Sequence, residues 1–206
     1  MRPPERHLWV GQWVEALLPG VVRRVLKGAE PQPRWLPRRV LTVVSADIDT
    51  TAGVGAVWAV WHPSSARARE HIALMEWHEE QWRCTGMGSG PADDPADVDV
   101  LEIRDGAGAL SLTRYLGPPD SVSTAPWIGS VKVRVGPGVG HLLMGDRLIG
   151  AHEQRELVAA WISAHAHRKT RPLIVAFGRD GTELSRIGPR DGLDTHTWAR
   201  LRRELP

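Results

Sequence analysis

The feature that most constrains this chain is the spacing of its turn-forming residues. From Val40 onward, short runs rich in Val, Ile, Leu and Trp are broken every few residues by Gly, Pro, Asp or Ser. A helix needs an apolar stripe sustained over ten or more residues, whereas a strand needs only about five or six. The cadence therefore predicts strands, at residues 40–47, 55–61, 70–77, 81–87, 99–103, 110–115, 130–135, 141–144, 157–164, 172–177 and 182–187. Helix-length segments do not separate them, which disfavours a parallel α/β arrangement. The expected fold is mainly β, an antiparallel sandwich or flattened barrel.

Tight hairpins are expected at His78-Glu79-Glu80, at Asp105-Gly106-Ala107-Gly108 and at Arg179-Asp180-Gly181, where glycine can supply a positive φ. Residues 90–98 and 117–126 carry Pro, Asp and Ser and read as surface loops. No residue pattern recurs at a fixed period.

The first forty residues differ in kind. Leu8, Trp9, Trp13, Leu17 and Leu18 fall near helical spacing over residues 4–18, and Pro19-Gly20 marks an ending. Residues 21–28 suggest a second short helix, capped by Gly28. A proline-spaced connector, residues 31–37, leads into the strands. We read residues 1–39 as a basic amphipathic arm and 40–206 as a β-domain that closes with a short helix over residues 194–205, capped by Thr195 or Thr197.

The arm holds Arg2, Arg6, Arg23, Arg24, Lys27, Arg34, Arg38 and Arg39 against Glu5, Glu15 and Glu30, a net +5 in a chain whose total is +2. The remainder is thus −3, so positive charge is concentrated at one end. Such an arm can meet nucleic acid, an anionic membrane surface or an acidic protein, or can dock on its own domain with its arginines solvated. Docking is the favoured reading.

Ten tryptophans stand against one tyrosine and one phenylalanine, so indoles do nearly all the aromatic packing. Trp58, Trp61, Trp77, Trp82 and Trp161 fall in strands and are assigned to core or sheet faces. Trp9, Trp13, Trp35 and Trp127, on the arm or on loops, are the candidates for contacts with a partner. Cys84, the one cysteine, excludes an intramolecular disulfide and reads as a buried thiol. No apolar run reaches the roughly 18 residues of a membrane span, and the start of the chain lacks a secretory pattern; a cytoplasmic location is expected. An arginine-rich, lysine-poor balance with abundant Ala, Val and Gly suggests a high-GC bacterial genome.

The segment Glu76-Trp77-His78-Glu79-Glu80-Gln81-Trp82-Arg83-Cys84-Thr85-Gly86-Met87-Gly88-Ser89-Gly90 resembles a strand-turn-strand-glycine pattern of uncharacterised small β-rich proteins of actinobacteria. The resemblance implies that Trp82 packs inward and that the glycine run ends its strand; it implies no activity.

Chemistry-bearing patterns are sparse. The run Gly86 to Gly90 lacks the Gly-Lys-Ser/Thr ending of a phosphate loop. Asp47 and Asp49 flank Ile48, so a continuing strand would put both carboxylates on one face, as a divalent metal or acid–base site could use, although aspartates at a strand end more often form turns. His165 and His167 share that two-residue spacing and are the candidate metal ligands, with a solvated turn as the ordinary alternative. No cofactor is expected.

The leading functional expectation is a non-enzymatic protein-interaction or regulatory module, whose partner is another protein and whose contact residues are Trp9, Trp13, Arg23, Arg24, Lys27, Trp35, Arg38, Arg39 and Trp127. Self-association is compatible with it. One alternative is an enzyme acting on a small or carbohydrate-like substrate in a cleft of the β-domain through Asp47, Asp49 and His71. Another is a nucleic-acid-associated factor that works through Arg23, Arg24, Lys27, Arg38 and Arg39.

Overall fold

The computed structural model describes residues 6–92, 97–151, 155–164 and 170–204, with the backbone alone for 6–15 and 119–120. Its elements are α1 (Arg6–Leu26), β1 (Leu41–Asp49), β2 (Val54–Trp61), β3 (Arg69–His78), β4 (Gln81–Pro91), β5 (Leu101–Leu110), β6 (Trp127–Val135), β7 (Val139–Met144), β8 (Arg147–Gly150), β9 (Glu156–Ser163), β10 (Ile174–Gly178), β11 (Glu183–Ile187) and α2 (Thr195–Glu204). Two 3-10 segments, Leu112–Arg114 and Pro119–Thr124, lie between β5 and β6.

Every strand pairing is antiparallel, in three sheets of order β1-β2-β3-β4, β5-β6-β9 and β11-β10-β7-β8. The mainly β fold is as expected, but the sandwich has three sheets and does not close into a barrel. Side-chain alternation gives the middle sheet two buried faces. Ile128, Val158 and Ala160 pack with Val54, Ala56, Trp58, Ile72 and Leu74 of the first sheet. Val131, Val133, Val135, Leu157 and Ala159 pack with Leu142, Met144, Ile174, Ala176 and Ile187 of the third. The outer face of the first sheet is covered in turn by α1.

The arm is thus part of the fold from Leu17 onward. Leu17, Leu18, Val21 and Val22 are buried against Leu41, Val43, Val57, Ala59, Ala73 and Met75. One helix runs through Pro19-Gly20, where two were expected. An interior proline costs about 3 kcal/mol or more, but burying a Val or Leu side chain stabilises by about 1.5–3 kcal/mol, and four such residues flank the proline. Gly28 caps the helix at φ 67°: its N–H donates to the Val25 carbonyl at 2.8 Å and that of Ala29 to the Arg24 carbonyl at 3.0 Å, the two bonds of a Schellman ending.

The connector is docked as well. Gln32 is buried and treats the free edge of β1 as a strand would, accepting from the Val43 N–H at 2.8 Å and donating to the carbonyls of Leu41 at 3.2 Å and Leu36 at 2.9 Å. Leu36 is buried beside it.

Hairpins follow the sequence at two of three places. Glu79 and Glu80 both have positive φ in the two-residue turn that pairs His78 with Gln81, and Gly181 has φ 82° before β11. The segment from Asp105 to Gly108 does not turn: it lies within β5, opposite residues 129–132 of β6. Its small residues match an opposing surface there, with the Trp127 indole lying over Gly108. Residues 112–114, expected as strand, are 3-10. Strand β8 is additional to the expected strands, and it follows Gly145-Asp146, a two-residue hairpin signal with Gly145 at φ 65°. Helix α2 is capped by Asp194, whose Oδ1 accepts from the Thr197 N–H at 3.0 Å; the Thr195 hydroxyl instead accepts from the Arg186 N–H at 3.1 Å.

Leu18→Ala is expected to cost about 2–5 kcal/mol in chemical denaturation, the range for a large apolar side chain removed from a core. Pro19→Ala, at an exposed position of the same helix, is expected to raise the denaturation midpoint.

Candidate functional site

Asp47 and Asp49 do share a face, the one turned toward the middle sheet, because they pair with Ala56 and Val54 of the inner core. Both are bound there by protein groups. Arg147 of β8 grips Asp47 with two bonds, Nη1 to Oδ1 at 2.5 Å and Nη2 to Oδ2 at 2.6 Å. Asp47 Oδ2 also accepts from the Ala160 N–H of β9 at 2.8 Å, and Arg147 returns a bond to the Ala160 carbonyl at 2.8 Å. Two residues earlier, Ser45 Oγ accepts from the Val158 N–H at 3.1 Å. Asp49 Oδ1 accepts from the Ala52 N–H at 2.8 Å, the turn-forming use of an aspartate, and its Oδ2 lies 3.4 Å from Arg147 Nε. Burial alone would lower the pKa of the Arg147 guanidinium; its hydrogen bond to Asp47 and the charges of Asp47 and Asp49 more than offset this, and the pKa is raised.

His71 belongs elsewhere. It pairs with Ala59, a residue of the outer cluster under α1, so it points to the opposite face of the sheet from Asp47 and Asp49. The three residues expected to act as one acid–base or metal group do not meet. Among the described residues no group of three His, Cys, Asp or Glu side chains could hold a metal ion, and His165 and His167 lie outside the described residues. His71 is buried, its Nε2 has no partner among the described residues, and its pKa is lowered by burial first and by Arg69 second, against an opposing effect of Glu70.

Three further polar groups went unnoticed in the sequence. Glu70 of β3 pairs with Lys132 of β6 across the first and middle sheets, with Lys132 Nζ 5.4 Å from the centre of the Trp58 ring. Arg134, also buried, binds Glu156 of β9 at 2.9 Å. Glu76, fully buried, accepts from Ser111 Oγ at 2.5 Å and lies 2.7 Å from Arg114 Nε, whose Nη2 donates to the Gly53 carbonyl at 2.8 Å. In the sequence Lys132 and Arg134 alternate with valines and read as the solvated side of a one-faced strand; no local signal marks them as buried.

The arm residues divide. Of Trp9 and Trp13 only the backbone is described, within α1. Arg23, Lys27, Arg34 and Arg39 are exposed and have no carboxylate partner among the described residues, whereas Arg38 pairs with Glu30 and Arg24 Nε donates to the Glu30 carbonyl at 2.7 Å. Trp35, between Arg34 and the buried Leu36, is 67% exposed. Trp127 is half-buried over Gly108. Trp77, assigned to a sheet face, is 46% exposed and packs on Trp82 at 5.6 Å between ring centres. Trp82 packs against the outer cluster, and the glycines after it stand inside β4 and do not end it.

Described residues line clefts at the surface. One, of about 230 Å³, lies between β5, β11 and α2 and includes Asp99 and Arg200, which pair with each other. Another, of about 180 Å³, lies between β4 and β5 and includes Glu70 and Asp105. Among the described residues no helix is long and apolar enough to cross a membrane. Comparisons of the chain with protein-family models, with curated proteins and with solved structures return no match.

Asp47→Ala removes the two-bond acceptor of the Arg147 guanidinium, which keeps only the Ala160 carbonyl and the more distant Asp49, and leaves the Ala160 N–H without its acceptor. We expect a loss of about 3 kcal/mol in chemical denaturation, the low end for a broken buried pair because Arg147 is partly solvated, and a smaller loss for Asp47→Asn. For His71, the unfolded chain takes up a proton near pH 6.5 while the folded protein resists it. The neutral imidazole therefore contributes stability above that pH, lost as the pH falls toward the lowered folded value. Melting curves between pH 7 and 5 should be steeper in pH for the parent than for His71→Gln.

Proposed function

We propose that this chain is a non-enzymatic interaction module that binds another protein through the basic face around Trp35. The observation that carries this reading is the exposure of Trp35, 67%, on a connector held on one side by Gln32 and on the other by Leu36. A large indole presented to water on a fixed backbone loses little entropy on association, and Trp beside Arg is the composition of binding hot spots. Arg23, Lys27, Arg34 and Arg39 surround the connector in sequence with exposed positive charge, which favours an acidic partner. The candidate acid–base residues support the same reading, since Asp47 and Asp49 are occupied in joining strands.

A nucleic-acid partner would draw on the same face through Arg23, Arg24, Lys27, Arg38 and Arg39. The Glu30 carboxylate pairs with Arg38, while Arg24 meets only the Glu30 backbone carbonyl and keeps its charge; the four cations that remain are few for a phosphate backbone, and a protein partner is the better fit.

Deleting residues 1–39 would remove Leu17, Leu18, Val21, Val22 and Leu36 from the core, so point variants are the appropriate test. Trp35→Ala and the double variant Arg34→Glu/Arg39→Glu should melt as the parent does. For a partner recovered from the native cells and then purified, Trp35→Ala should weaken binding about tenfold or more, and the charge reversal should also flatten its salt dependence. Affinity unmoved by both variants would place the interface elsewhere. Tighter, salt-dependent binding of a DNA or RNA oligonucleotide would favour the nucleic-acid reading.

A further inference from the structure

The first and middle sheets are joined along one side and part along the other. On the β1/β9 side, Ser45 and Asp47 bind the β9 backbone directly. On the β4/β5 side, Gly86, Gly88 and Gly90 alternate along β4, opposite Ala109 and Ala107 of β5. A Cβ at Gly86 would sit 2.9 Å from that of Ala109, and one at Gly88 3.7 Å from that of Ala107; one at Gly90 would meet nothing within 4 Å. The gap is a wedge, and it widens toward Gly90.

The wide end is also the charged end. Gly90 pairs with Glu70 and Asp105 pairs with Lys132, and Glu70, Asp105, Gly90 and Gly106 line the 180 Å³ cleft together with Ile72 and Ala107. Lys132 lies behind Glu70, fully buried, and binds its Oε1. A carboxylate with one ammonium partner keeps acceptor capacity for others. Two carboxylates against one ammonium leave the cleft one charge negative. Its apolar walls, Ile72 and Ala107, suit a short alkyl chain; the nearby Lys132 charge and the scarcity of oxygen ligands disfavour a divalent ion.

We propose that the open end of this wedge is a binding site for an alkylammonium group, seated between β4 and β5 with Glu70 and Asp105 as its acceptors and its methylenes against Ile72 and Ala107. The site is separate from the basic face around Trp35 and stands without it. A free amine and a lysine side chain present the same chemistry to it.

The test is an amide-resonance titration of the full chain with n-butylammonium chloride, with sodium butyrate at the same concentrations, and with N-acetyl-lysine methylamide. The ammonium compounds should shift the Gly88, Gly90 and Gly106 amides saturably, while butyrate leaves them in place; the tighter of the two tells a free amine from a peptide lysine. Gly90→Leu fills the wedge where there is room, so it should melt no lower than the parent and weaken n-butylammonium binding at least about tenfold. Asp105→Asn, at an exposed rim position, should weaken it about 3- to 10-fold. Equal shifts with butyrate overturn the proposal, as does parental affinity in both variants.

Discussion

The three sheets meet at the carboxylate of Asp47. It stands on the first sheet, accepts a backbone N–H of the middle sheet and holds an arginine of the third. Two sheets of a sandwich can rest on apolar contact alone, which is non-directional and tolerates sliding. Hydrogen bonds donated by alternate β9 amides to Ser45 and Asp47 set a register between β1 and β9 that apolar contact would not. The same bonds give the outer edge of β9 partners for amides that no neighbouring strand pairs, and an unpaired amide in the interior is costly.

From that joint follows the burial of the middle sheet on both faces. A strand covered on one side can keep a polar side in water; β6 cannot, and Ser130, Lys132 and Arg134 are all buried. The two cations are tolerable because partners reach them: Glu70 from the first sheet for Lys132, and Glu156 from the adjoining strand for Arg134. The joint at β1 and β9 also accounts for the asymmetry of the first and middle sheets, fastened along one side and parted by the β4 glycines along the other.

The N-terminal stretch shows how packing overrides local signals. Pro19-Gly20 is an ordinary helix ending in sequence, yet the helix continues because Leu17, Leu18, Val21 and Val22 form one stripe only if it does. The connector beyond it is irregular by composition but held in place, since Gln32 supplies to the β1 edge the pairing that a neighbouring strand would. What stands free of all this packing is Trp35 with its neighbouring arginines.

Strand cadence, antiparallel pairing, the Gly28 cap and the turns at Glu79-Glu80 and Gly181 were legible in the sequence, because each depends on residues within a few positions of one another. The Gly145-Asp146 hairpin has the same local character. The stretch Asp105 to Gly108 was misleading, since small residues that pack closely under another strand have the same composition as a turn. The exposed positive charge around the connector could be anticipated from its spacing; the ion pairs could not. Asp47 and Arg147 are separated by 100 positions, Glu70 and Lys132 by 62, and no local rule links a carboxylate to a cation so distant. The sequence by itself determined that this chain forms short antiparallel strands with a helix at each end, because backbone geometry and turn chemistry act locally. Only the tertiary structure decided that there are three sheets, that the polar side of β6 lies inside, and that Asp47 and His71 face opposite ways, because burial and charge pairing depend on which surfaces come together.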